Sequence, residues 1–300
     1  MSDSAILHVP HRLPAPRAVL ELTKPVTWFP PIWAFMCGTV SSRQPLGANL
    51  GFVICGMLLT GPLVCGTSQV INDWCDRHVD AINQPDRPIP SGRIPGRWGV
   101  YIALIGSAIS MLMAFALGLW VLAATIVALL AGWAYSAPPL RLKQSGWLGP
   151  AVVALSYEGL SWFTGAAVLT GGLPSTMILA VLLLYSVGAH GIMTLNDFKA
   201  VRGDIATGVR SLPVVMGERG ALLYACAIMA AAQVAVIALL ALSGYAISAA
   251  IVGFVLLLQF ACMARLASNP ERLTPWYNAT GVSLYVLGML AAALGLGGYW

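Results

Sequence analysis

The chain has 300 residues, 58% of them hydrophobic and only 9% charged, with a formal net charge of +5 and a mean hydropathy of +0.81. Soluble domains carry about a quarter of their residues charged, so this composition is that of an integral membrane protein. It excludes a collagen-like repeat, a disordered polar chain and a basic nucleic-acid-binding stripe, and it leaves the positive excess to face a membrane surface.

The N-terminal segment 1–24 carries Arg12, Arg17 and Lys24 but no apolar core ending in a small-residue cleavage site, so no signal peptide is expected. Apolar stretches long enough to cross about 30 Å of hydrocarbon follow near 26–42, 49–71, 98–117, 119–137, 147–169, 175–195, 220–243, 245–266 and 276–298. The expected fold is therefore an all-α integral membrane bundle of nine helices over about 26–298, forming one domain with the rest of residues 1–300. Pro30 and Pro31 interrupt the first stretch, which reads as a kinked span or as a re-entrant segment. Cys37, Cys55, Cys65, Cys75, Cys226 and Cys262 show no C-x-x-C spacing and read as small buried hydrophobes.

With nine spans, fifteen of the sixteen Lys and Arg residues fall on one side, Arg43 being the exception, and ten of the eleven acids share that side, Glu158 being the exception. By the positive-inside rule the N-terminus is expected in the cytoplasm and the C-terminus in the periplasm. Polar groups gathered at one face suit chemistry at one membrane surface. A transporter would carry them at mid-membrane on a path reaching both faces.

The second span runs into Asn72-Asp73-Trp74-Cys75-Asp76-Arg77-His78-Val79-Asp80. At helical pitch Asn72, Asp76 and Asp80 lie within about 80° of one another, and Asp73 falls near Asp80. Like charges so placed repel unless a cation binds them, and hard oxygen donors suit Mg²⁺. A second cluster follows the sixth span, Asn196-Asp197-Phe198-Lys199 through Asp204. If the helix persists, Asp197 and Asp204 share one face with an offset of about 20°. Two Asn-Asp openings, each ending a span on the same side, suggest a weak internal duplication around a two-metal diphosphate site. Arg87, Arg141, Lys143, Lys199 and Arg210 stand near these clusters and are the candidate diphosphate-binding cations, although each alone also reads as a cytoplasmic anchor.

These motifs resemble the UbiA superfamily of intramembrane prenyltransferases, over nearly the whole chain. Asp80 to Ile94, Tyr135-Ser-Ala-Pro-Pro-Leu-Arg-Leu-Lys143, Asn196-Asp-Phe-Lys199 and Arg210-Ser-Leu-Pro-Val214 are similar to its chlorophyll and bacteriochlorophyll synthase branch. Tyr157 to Ala167, Gly188 to Leu195 and Pro275-Trp-Tyr-Asn278 resemble the purple-bacterial members.

The resemblance implies a central cavity open to the cytoplasmic side, and a Mg²⁺-dependent transferase, with Mn²⁺ as the alternative ion. It would esterify the propionate of bacteriochlorophyllide a with a geranylgeranyl or phytyl diphosphate and release diphosphate. The implied metal set is Asn72, Asp73, Asp76, Asp80, Asn196, Asp197 and Asp204, with Asn72, Asp76, Asp80, Asp197 and Asp204 as the catalytic group. It further implies a bacterial inner or intracytoplasmic photosynthetic membrane and photosynthetic assembly partners. The second motif departs from the branch, which has Glu-Gly-Asp-Arg where this chain has Arg202-Gly203-Asp204-Ile205. Intramembrane Glu158 and His190 are candidates to orient the pigment, or else neutral groups bonded to neighbouring helices. Other acceptors, namely chlorophyllide a, a quinone precursor or protohaem, and a tetrapyrrole-binding protein without catalysis are the competing readings.

Overall fold

In a membrane every backbone polar group must be satisfied within the chain, and here helices do so almost throughout. The computed structural model describes residues 13–300; Arg12 and the segment before it lie outside the described residues. In chain order the helices are α1 (Pro16–Leu22), α2 (Phe29–Ser41), α3 (Leu50–Leu58), α4 (Gly66–Asn83), α5 (Trp98–Leu117), α6 (Leu119–Ser136), α7 (Leu148–Ala154) and α8 (Ser161–Thr170). They continue with α9 (Thr176–Asn196), α10 (Val201–Thr207), α11 (Leu212–Leu242), α12 (Ala246–Leu266), α13 (Pro270–Ala279) and α14 (Gly281–Gly297). Among the described residues the only extended pairing is an isolated bridge between Ser145 and Arg210.

Two wide π-helical turns join helices end to end. Leu59–Cys65 contains Pro62 and connects α3 to α4, and Leu155–Leu160 connects α7 to α8. A proline cannot donate the usual backbone bond, and a π-turn accommodates that loss without breaking the span. Gly118 forms the entire link between α5 and α6 at a φ of 129°, a conformation closed to side-chain-bearing residues.

Among the described residues, eight helical runs are long and apolar enough to cross a membrane, and they coincide with the last eight expected stretches. The first stretch differs. Pro25 opens a 3-10 turn over Pro25–Trp28, and Pro30 and Pro31 restrict the helix that follows to the 13 residues of α2. Together they still extend roughly 28 Å. At one end Lys24 meets Asp73; at the other Arg43 Nε donates to the Leu296 carbonyl at 2.7 Å and its Nη2 to Tyr245 Oη at 3.0 Å. α2 thus traverses the bundle from the acid-rich end to the opposite one.

α2 lies against α8 and α14, and α9 against α11. The α2–α8 crossing is close because Gly38 faces the backbone of Trp162 and Ala166, while Gly165 faces that of Phe35 and Thr39. Buried polar links add to the apolar packing: Trp162 Nε1 donates to Ser41 Oγ at 3.0 Å, and Gln259 Nε2 to Tyr277 Oη at 3.0 Å. Gly165→Leu is expected to force the crossing apart at a cost of about 1–3 kcal/mol, read as a lower unfolding midpoint in detergent. Gly51→Ala, where nothing lies within 4 Å of an added Cβ, leaves the midpoint unchanged or raised.

Candidate active site

α4 carries the first acid cluster out of the apolar bundle, and charges at that depth persist only if paired. Asp73 is 2% exposed; Lys24 Nζ lies 2.6 Å and Arg87 Nη1 3.3 Å from its Oδ1. Arg87 also holds Asp80 Oδ2 at 2.7 Å. On the neighbouring stripe of the helix, Lys143 Nζ meets both oxygens of Asp76, with Arg141 Nη2 at 3.5 Å. Asn72 Nδ2 donates to Ser136 Oγ at 3.2 Å, which leaves its Oδ1 as the free acceptor.

The loop that supplies Arg87 is fixed from outside the bundle. The Ile94 side chain is buried, and Arg93 pairs with Glu21 of α1 through both guanidinium Nη atoms. That guanidinium holds the Glu21 carboxyl below the usual carboxylate range.

The second cluster does not lie on one continuous helix. α9 stops at Asn196, Asp197–Lys199 form a 3-10 turn, and α10 restarts at Val201. The expected 20° offset therefore does not apply, yet Asp197 and Asp204 line the same cavity across the break. That cavity, of about 470 Å³, takes Asp76, Asp80, Arg141 and Lys143 from one side and Asp197 and Asp204 from the other. A second cavity of about 360 Å³, lined mainly by apolar and small residues of α2, α6 and the π-turns, meets it at Tyr135, Val153, Met193 and Asn196. A polar chamber thus opens into an apolar one.

Several expected residues fall elsewhere. Asp73 is an internal ion-pair partner rather than part of the chamber wall, and Asn72 lines the apolar cavity. Asn196 stands at the junction, with its Oδ1 accepting from Asn278 Nδ2 at 2.9 Å. Lys199 is exposed and lines neither cavity, and Arg210 lines a separate surface recess with Trp147 and Leu140. Arg202 and Ile205 also point outward, so the departure in the second motif brings no cation into the chamber.

Glu158 and His190 line neither cavity. Glu158 is 5% exposed with Oε2 unpartnered, while His190 Nε2 lies 3.0 Å from the Trp147 carbonyl and Nδ1 3.2 Å from Tyr224 Oη. Both ring nitrogens of His190 are thus engaged by neighbouring segments.

Lys24 was legible only as a cytoplasmic anchor. Its ion pair spans 49 positions in the chain, a distance that leaves no local pattern.

Residues 27–280 match the UbiA prenyltransferase family, to which the chain therefore belongs. Over 298 residues it is 57% identical to the bacteriochlorophyll synthase 33 kDa chain of Cereibacter sphaeroides, covering 99% of this chain and 98% of that one. The chloroplastic chlorophyll synthase of Oryza sativa is more distant, at 35% identity over 92% of this chain and 75% of its own length. The fold is shared with a UbiA homologue from Archaeoglobus fulgidus solved with GPP and Mg²⁺, with a TM-score of 0.73, 20% identity and coverage of 91% of this chain and 99% of that one.

Two outcomes follow from the geometry. Lys24→Met leaves Asp73 buried with Arg87 alone and is expected to destabilise the detergent-solubilised protein by about 1–3 kcal/mol, whereas Lys24→Met combined with Asp73→Asn recovers most of that loss. Arg202→Glu, outside the chamber, should alter kcat/KM for prenyl transfer by less than about threefold, in line with surface substitutions elsewhere.

Proposed function

We propose that the chain joins a C20 prenyl group, geranylgeranyl or phytyl, to the propionate of bacteriochlorophyllide a, as bacteriochlorophyll synthases do. The observation that carries this reading is the junction of an acid- and cation-lined chamber with an apolar cavity, in a chain 57% identical to such a synthase over its full length. The gap to 35% for a chlorophyll synthase favours the bacteriochlorophyllide as acceptor over the chlorophyllide.

In this reading the diphosphate sits in the chamber, its allylic carbon at the junction and its tail in the apolar cavity. The donor set fits Mg²⁺: all candidate ligands are oxygens, and among the described residues no three acidic, His or Cys side chains stand close enough to cage an ion alone. Such a site suits an ion that shares its shell with water and phosphate oxygens, as Mg²⁺ does and Mn²⁺ can. Asp76, Asp80, Asp197 and Asp204 would hold it from the two walls, with Asn72 Oδ1 at the rim. When bound, the ion supplies neutralisation of charge developing on the departing diphosphate.

Arg141 and Lys143, paired with Asp76 in the structure, face the same chamber and would meet phosphate oxygens. A carboxylate oxygen of the acceptor attacks the allylic carbon, the carbon–oxygen bond to diphosphate breaks, and the bonding pair leaves with the diphosphate. The acceptor enters ionised, so no proton is transferred and no protein nucleophile is needed. The apolar walls keep water from the electrophilic carbon.

Counting α2 as a crossing gives nine, the odd number that places fifteen of sixteen basic residues on one side. We place that side, the chamber mouth and the N-terminus in the cytoplasm, and the C-terminus in the periplasm, of a photosynthetic bacterial inner membrane. Assembly partners of the photosynthetic apparatus would meet the chain there.

Membranes containing the chain, incubated with bacteriochlorophyllide a and each C20 diphosphate, are expected to yield esterified pigment, and a chelator should stop it. Asp76→Ala and Asp204→Ala should each lower kcat/KM by at least about a hundredfold. Esterification that continues in the presence of chelator, or in the double variant, would rule out the reading.

A further inference from the structure

The apolar cavity contains a polar station that a prenyl tail cannot use. Gln69 lies on the stripe of α4 that also carries Asn72 and Asp76, about one turn deeper in the bundle than Asn72. Its Nε2 donates to Tyr157 Oη at 3.1 Å, and Cys65 Sγ lies 3.4 Å from the same hydroxyl. Tyr157 stands in the π-turn between α7 and α8, four residues beyond Val153 at the junction, so its side chain enters the cavity about one turn below the expected position of the allylic carbon.

Gln69, Cys65 and Tyr157 all line the cavity, together with Ser68 and Ser156. Gln69 donates to the phenolic oxygen, while the Cys65 thiol lies 3.4 Å from both that hydroxyl and the Thr27 carbonyl and has one proton for the two. Among the described residues no oxygen or nitrogen accepts the proton that this hydroxyl itself carries. A hydroxyl held by Gln69, whose proton has no partner beyond a thiol sulfur, a weak acceptor, and which has an apolar space in front of it, is arranged to meet a stronger acceptor atom brought by a ligand. Beyond its diphosphate the prenyl donor has no such atom. The prenyl acceptor does: an anionic carboxylate, which in the reaction proposed above attacks the allylic carbon at the junction where this cavity opens.

We propose that Tyr157, held by Gln69, receives the acceptor's propionate and donates a hydrogen bond to the carboxylate oxygen that does not attack, which leaves the other oxygen directed at the junction. The proposal rests on the reading of the acceptor given above. Tyr157 is the binding group and Gln69 the residue that positions it. An ester in place of the free carboxylate offers a weaker, neutral acceptor to the same hydroxyl, so the station also favours the unesterified substrate over the product.

The test is a fluorescence titration of the detergent-solubilised full chain with bacteriochlorophyllide a and, separately, with its propionate methyl ester. The wild-type chain is expected to bind the free acid about tenfold more tightly than the ester, the size of one hydrogen bond to a charged group. In Tyr157→Phe, which keeps the ring and its packing, the preference should fall to about twofold or less. In turnover the same variant should raise KM for the pigment about tenfold and leave KM for the prenyl diphosphate unchanged.

Gln69→Leu should show a smaller loss of preference, and Gln69→Leu with Tyr157→Phe no more than Tyr157→Phe alone. An acid-over-ester preference that survives intact in Tyr157→Phe overturns this inference while leaving the proposed reaction standing. A wild-type chain that binds neither pigment overturns both.

Discussion

The structure depends on pairing carboxylates with cations at the end of an apolar bundle. Asp73 and Asp80 share Arg87, Lys24 closes over Asp73, and Asp76 is held by Lys143 and Arg141. Burying an unpaired carboxylate is strongly unfavourable, so these cations are a condition of the acids being there at all. In the proposed reaction these pairs would exchange partners: Asp76 would turn from Lys143 to the metal ion, and Lys143 to a phosphate, so that ion pairing without substrate and substrate binding would draw on the same residues.

The helices serve this arrangement by staying rigid where the chain is apolar and irregular where chemistry is needed. The π-turns at Leu59–Cys65 and Leu155–Leu160 both line the apolar cavity, and the break after Asn196 brings Asp197 and Asp204 to one wall. Irregular backbone inside a membrane is tolerated where it borders a cavity, and these three places do. α2, shortened by its prolines, is secured by the close glycine crossing with α8 rather than by length.

The spans were readable from sequence because hydrophobic length is a local property, and the acid clusters because aspartates at helical spacing are conspicuous in so apolar a chain. What escaped the sequence was set by tertiary contact. Nothing near Lys24 indicates Asp73 as its partner, and nothing near Ala200 announces that the helix stops and restarts. Gln69 and Tyr157 acquire meaning only once α4 and the π-turn face a common cavity. Depth in the membrane singled out Glu158 and His190, but no sequence pattern indicated that His190 meets Trp147 and Tyr224 through its two ring nitrogens. Nothing near Arg210 in the sequence indicates that its backbone is tied to the loop after α6.

That tie has a mechanical effect. Arg210 N donates to the Gln144 carbonyl and Gly146 N to the Arg210 carbonyl, so the stretch bearing Arg141 and Lys143 is laced to the one that follows Asp204. A Cβ on Gly146 would strike Leu212 and Arg210, which leaves no room to loosen the lacing. The cations that pair with Asp76 and the segment that follows Asp204 are therefore held in one fixed register across the chamber, joined through backbone rather than through side chains.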